Sequence, residues 1–327
     1  MRAAVHERYG APARVVEVRE LEKPEPGPGE VLVRIRAASV NIADWYAVTG
    51  RPLIARGSMG LRGPKETRIG VDYSGVIEAV GGDVTDFEAG DEVFGGRNGA
   101  CGEYVVAKAD RAIVTKPATA TFEHAAAVGV AATTALQAIR DQGKLQEGQR
   151  VLVHGASGGV GTYAVQIAKA LGGEVTAVCG PRGVEIARAL GADRVVDHTQ
   201  EDVTRSDERF DLAVDIAGTR SFRELRRVLA PNATLVVVGG KRASRLLGPL
   251  GHVAGCKFGA IFASQRATFF IAKLNKADME TLRELLDAGK LTSVVDDVFP
   301  FERVADALEH MGAGHPRGKI VVTVAGA

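Results

Sequence analysis

Cysteine is scarce in this 327-residue chain: Cys101, Cys179 and Cys256 are odd in number and far apart. They can build neither a disulfide framework nor a paired metal-binding motif, and a reducing, cytoplasmic compartment fits such usage. The opening MRAAVHERYG has no apolar core for a signal peptide. No run of about 18 apolar residues follows, so no membrane-spanning segment is expected. A charge excess is missing too, since 41 Lys and Arg face 40 Asp and Glu for a formal net charge of +1. That balance demands neither nucleic acid nor an anionic membrane as a partner. The seven histidines are scattered at 6, 124, 154, 198, 252, 310 and 315, and a surface or packed role is expected for each.

What is present is a globular composition, 46% hydrophobic and 25% charged, able to bury a large core. The length implies two domains sharing a deep cleft. From Val31 to about Val114 the texture is mostly β, with VLVRIRAASV, YSGVIEAVG and EYVVAKADRAIV separated by glycines. From about Thr121 strands and helices alternate. A helix is expected through EHAAAVGVAATTALQAI, then a strand VLVHG, a helix from Gly161 to Leu171, a strand EVTAVC and a helix GVEIARALG. Two further apolar runs, FDLAVDIAG and ATLVVVGG, bracket a helix around Phe222 to Leu229. This rhythm predicts a parallel sheet with crossover helices, an α/β fold. The tail from about Phe269 breaks the rhythm with two helices and the strand GKIVVTV, which points to its return to the first domain.

The strand VLVHG runs into Gly155, Ala156, Ser157, Gly158, Gly159, Val160 and Gly161, and YAVQIAKALG follows as an amphipathic helix. Small residues there let a pyrophosphate approach the backbone, and the helix N-terminus offers free N–H groups to it. Ala156 stands where the usual fingerprint has its first glycine. The alternative is a merely structural turn. After EVTAVC, the ribose 2′-hydroxyl of NAD would call for an acidic residue. Cys179, Gly180, Pro181 and Arg182 stand there instead, which favours NADPH through pairing of Arg182 with its 2′-phosphate. The other reading makes Arg182 a solvated helix-start residue.

PEPGPGEVLVRI, AASVNIADWYAVTG, GVDYSGVIEAVGGDVTDFEAGDEVFG, GASGGVG, ALGADRVVDH and GKIVVTV, in this order, resemble segments of the medium-chain dehydrogenase/reductase superfamily, specifically its zinc-free quinone oxidoreductase branch. The resemblance covers nearly the whole chain. It implies a GroES-like β-rich catalytic domain from 1–122 and 270–327, a Rossmann doubly wound parallel-sheet domain over 123–269, and a homodimer assembled through the latter. Zinc-dependent relatives hold their metal where this chain has Asn41, Val71 and Val130, none of which supplies a thiolate or imidazole. The four-cysteine lobe of those relatives is absent as well, so no metal site is expected.

Without a Lewis acid, reduction of an electron-poor acceptor is easier than oxidation of a simple alcohol. The resemblance implies a small-molecule quinone or enone as acceptor, with Asn41 and Tyr46 beside the nicotinamide. Asn41 would donate its amide N–H to the acceptor or anchor the ribose, and Tyr46 would stack or donate its phenol hydrogen. Their ordinary alternatives are a turn residue and a core aromatic, and Asp44 is expected to cap the following turn. Family correspondence adds Thr133, Gly239, His198 and Lys319 to the cofactor contacts. His198 replaces a tyrosine of the relatives, and Lys319 reads equally well as an ordinary strand-edge lysine. Seven Lys or Arg and no acid lie between Lys241 and Lys276; a solvated face is the plain reading, and peripheral contact with an acidic membrane is the sharper one. Two other functions stay open: a non-catalytic NADPH-binding protein and an NADP-dependent alcohol dehydrogenase working without zinc.

Overall fold

A computed structural model describes residues 1–240, 246–314 and 316–324. The chain forms two compact units, Met1–Thr133 with Lys273–Ala327, and Thr134–Ala272. The tail therefore groups with the N-terminal part. Lys241, Arg242, Arg245 and His315 lie outside the described residues.

The second unit is built on six parallel strands: Arg150–His154 (β1), Glu174–Cys179 (β2), Arg194–Asp197 (β3), Phe210–Asp215 (β4), Leu229–Val237 (β5) and Arg266–Phe269 (β6). Their spatial order is β3-β2-β1-β4-β5-β6. β1 and β4 are apolar runs buried on both faces, as central strands of a parallel sheet must be. Strand order reverses between them, and in such sheets the crevice outside the carboxyl ends at the reversal is where ligands bind. This is the doubly wound arrangement of a Rossmann fold.

The first unit carries a seven-stranded, mostly antiparallel sheet along the path Val295–Pro300, Lys319–Thr323, Glu30–Val40, Asp72–Val80, Glu92–Gly96 and Ile113–Thr115, with Tyr104–Lys108 also pairing on Glu30–Val40. It wraps a core that includes Val33, Ile35, Tyr73, Ile77, Ile113, Leu308 and Val322. The strand Lys319–Thr323 has neighbours on both sides. Lys319 is consequently no strand-edge lysine; it is 1% exposed.

The single helix expected after Thr121 is broken into Phe122–Ala126 and Gly129–Leu136, followed by a π-helical turn, Gln137–Gln142. The break has a distant cause. Val130 N donates to Asp72 Oδ1 at 2.8 Å, and a Cβ on Gly129 would lie 2.2 Å from that same oxygen. The first piece packs against Ala37 and Val321 through Phe122, Ala126 and Ala127. Contacts thus divide the chain after Thr133, where the expected boundary fell between residues 122 and 123, and after Ala272 rather than 269. All three cysteines are free and buried. Among the described residues no helix is long and apolar enough to cross a membrane.

Candidate functional site

β1 runs directly into Gly155, whose φ of +97° places it in a region that favours glycine. The N–H groups of Gly155 and Ala156 both donate to Val178 O, at 3.0 Å, which ties the turn to β2. Gly158 is the N-cap of the Gly159–Ala170 helix and contributes no capping side chain, so first-turn N–H groups lack a side-chain acceptor. A Cβ on Gly161 would lie 2.1 Å from Gly155 O, whereas one on Gly158 would meet nothing nearer than 3.7 Å. The turn is tight behind and open in front. Ser157, Gly158, Gly159 and Val160 are half-buried along it, and backbone donors at a helix N-terminus suit a pyrophosphate. The residues fit a dinucleotide.

At the end of β2 a short 3₁₀ turn, Pro181–Gly183, carries the exposed Arg182. A Cβ on Gly183 would meet Ser157 Oγ at 2.7 Å, and one on Gly180 would meet His198 Nε2 at 3.5 Å. His198 N donates to Cys179 O at 3.0 Å. Ser157, Gly180, Arg182 and His198 therefore gather at one strand end, and residues 179 to 183 hold no carboxylate. Gly239 follows β5 with its N–H on Asp215 O at 3.2 Å; a Cβ there would lie 2.0 Å from Ile216 O. Glycine is what lets the ends of β4 and β5 meet.

In the other unit Asn41 caps the helix Ile42–Thr49. Its Nδ2 donates to Asp72 Oδ2 at 2.9 Å, and Lys319 Nζ donates to its Oδ1 at 2.5 Å. An ammonium only donates and a carboxylate only accepts, so the amide orientation is fixed. Asp72 is fully buried and also receives Ser39 Oγ at 3.2 Å and Lys319 Nζ at 3.4 Å. These bonds offset the cost of desolvating the pair. Asp44 Oδ2 accepts Asn41 N at 2.7 Å in a reciprocal capping box. Burial pushes the Asp44 carboxyl up to about 7, with the Asp72 charge adding to it and the bond from Asn41 N opposing.

Tyr46 lies on the helix that Asn41 caps, half-buried and edge-on to Trp45 with ring centroids 5.5 Å apart. Thr133 is fully buried, its hydroxyl 3.9 Å from Met279 Sδ. The structure thus joins Asn41 and Lys319 through Asp72, a residue the sequence reading passed over, and directs Thr133 into its own unit.

A second network was also not anticipated. Asp215, buried at the end of β4, accepts from Gly218 N at 2.9 Å and lies 2.7 Å from both His154 Nδ1 and His252 Nε2. Thr219 Oγ1 is 3.3 Å from the far nitrogen of His154. Burial opposes the Asp215 charge, but the bonds from His154 and His252 outweigh it and bring the carboxyl down to about 2. The Asp215 bond in turn pushes His252 up to about 10. β1 and β4 are therefore pinned together where the strand order reverses. Among the described residues no group of three or more His, Cys, Asp or Glu could hold a metal ion.

Two family models match the chain: an alcohol dehydrogenase GroES-like domain over residues 27–118 and a zinc-binding dehydrogenase domain over residues 190–322. The human mitochondrial NAD(P)H oxidoreductase RTN4IP1 is 34% identical over 91% of this chain and 82% of its own length. The chloroplastic quinone-oxidoreductase QR1 of Triphysaria versicolor is 30% identical over 98% of both. A crystal structure described as an NAD-dependent alcohol dehydrogenase superposes with a TM-score of 0.85 at 30% identity, covering 99% of this chain and 100% of that one.

Proposed function

The chain belongs to the medium-chain dehydrogenase/reductase superfamily, in its quinone oxidoreductase-like branch, and from that premise we propose that it is a zinc-independent, NADPH-dependent reductase of quinones or α,β-unsaturated carbonyl compounds. Carrying this reading is the uncapped glycine turn beside a strand end that offers Arg182 and no carboxylate. NADPH, when bound, supplies the hydride. The first-turn N–H groups at Gly159, Val160 and Gly161 would hold its pyrophosphate, and Arg182, Ser157 and His198 its 2′-phosphate. Gly239 completes the proposed cofactor contacts, and Thr133, fully buried with its hydroxyl toward Met279, is left out of them. Asn41 has one Nδ2–H engaged by Asp72 and a second for an acceptor carbonyl, where a held donor stabilises developing negative charge. Tyr46 would lie against a flat acceptor. Asn41, Val71 and Val130 are unsuited to zinc, so no step is assigned to a metal.

Assembly and location belong to the same reading: a homodimer in the cytoplasm. Among the described residues β6 has a neighbour on one side only. Next to it in sequence, the Leu250–Ala260 helix and its end leave Phe258, Ile261 and Phe262 exposed at 69, 65 and 85%. An open sheet edge and an apolar outer face are the features a second copy would cover.

The deciding experiment follows loss of nicotinamide absorbance with NADPH and NADH against a panel of quinones and short enones. Turnover with NADPH, weakened for NADPH but not NADH in Arg182→Ala, is expected. Binding without turnover would leave a non-catalytic NADPH-binding protein, and NADP-supported alcohol oxidation alone would move the assignment to a dehydrogenase.

A further inference from the structure

We infer that a basic groove in the β-rich unit receives an anionic group, carboxylate or phosphate, carried by the acceptor; this rests on the reductase reading above. The groove encloses about 310 Å³ and is lined by Gly96, Arg97, Lys108, Arg111 and Leu274 among others. Three cations line it and no carboxylate does. All three are exposed. Among the described residues neither Arg97 nor Lys108 has an ion-pair partner, and Arg111 has only Asp110, at 3.9 Å.

A neighbouring groove of about 220 Å³ shows what a neutralised version looks like. It shares Arg97 but is also lined by Glu66 beside Arg68, so a counter-charge is built in. On the far side of Arg97 no carboxylate lines the groove among the described residues, and three like charges around one concavity attract an anion from solution.

Position links the groove to the acceptor. Gly96 pairs across the sheet with Asp72, the residue that holds Asn41, and Arg97 N donates to Val71 O at 2.8 Å. A Cβ on Gly96 would lie 2.3 Å from Leu274 Cδ1 and 3.6 Å from Val71 Cγ1, so the glycine lets Leu274 pack directly on the strand and form that wall of the groove. Two strand spacings, about 10 Å, separate Gly96 from the strand that leads into Asn41. A tether of several bonds between carbonyl and acid group covers that offset.

The test uses acceptor pairs that differ in charge and carry the acid on a chain long enough for that offset: a benzoquinone with a nine-carbon chain ending in a carboxylate against its methyl ester, and a linear enone with its carboxylate about ten bonds from the carbonyl against its methyl ester, all with saturating NADPH. The wild type should favour the anion in kcat/KM by about tenfold at low salt, as expected for several exposed charge contacts, and lose that preference as salt is raised. Arg97→Ala with Arg111→Ala should bring the ratio near one and leave the neutral acceptors unchanged. An equal ratio in both proteins, with the neutral acceptors still reduced, overturns the groove and leaves the reductase reading standing. If no acceptor is reduced, that reading fails and calorimetry with the same acids decides here: binding by the wild type that the double variant loses supports the groove, and absent or unchanged binding overturns it.

Discussion

Lys319, Asp72 and Asn41 depend on one another because each is buried and each satisfies a neighbour. Lys319→Met leaves Asp72 without its cation and the Asn41 carbonyl without its donor, and removing one partner of a buried pair costs about 3–5 kcal/mol. A fall of that size should appear in urea unfolding. Asp44 sets a pH dependence. Its carboxyl stands at about 7 in the fold against an ordinary 3.8, so its favourable contribution is full below the lower value and is lost as pH rises through the upper one. Asp44→Asn has no charge to bury, and its stability should gain on the wild type across that window, by up to about 4 kcal/mol. Parallel pH profiles for the two proteins would remove Asp44 as a proton carrier. Asn41 and Lys319 were reachable from the sequence through the family resemblance alone. Asp72 had its own signal, a carboxylate inside the apolar strand IGVDYSGVI, because buried acids require partners; which partners was not legible, since they come from residues 39, 41, 130 and 319.

Among the elements, the glycine turn is the most constrained. Gly161→Ala places a methyl 2.1 Å from a backbone oxygen, so the turn must shift, and NADPH affinity by calorimetry should fall at least about tenfold with the circular dichroism unchanged. The Leu250–Ala260 helix is tethered to β4 through His252. With its pKa raised to about 10, His252 contributes stability that is full below about 6.5 and lost as pH rises through 10. His252→Gln should lack that alkaline decline, which unfolding followed from neutral to alkaline pH will show. β1, β2, β4 and β5 could be read from their apolar runs, and the glycine turn from its flanks. β3 and β6, four residues each, carry too little pattern to stand out. The break at Gly129 was hidden because its cause is a carboxylate on a strand far earlier in the chain.

For the whole molecule, composition and the switch from β texture to βα rhythm were enough to foresee two units and the return of the tail. How the outer surface is used was not, because the apolar face around Phe258 reads in sequence like any buried helix. Light scattering with Phe258→Glu and Phe262→Glu checks the proposed assembly: the wild type should run as a dimer and the double variant as a monomer. A monomeric wild type that co-sediments with anionic vesicles at low salt would instead assign this face to a membrane, in keeping with the basic run from Lys241 to Lys276.

The three shielded cysteines make the protein its own stopwatch. Cys101 belongs to the β-rich unit and Cys179 and Cys256 to the parallel-sheet unit, each 3% exposed or less. A thiol-reactive dye added under native conditions can label them only when the surrounding structure opens. The order in which the three sites are tagged, read by peptide mass, would show whether the halves of the chain come apart together or in turn, with no engineered probe.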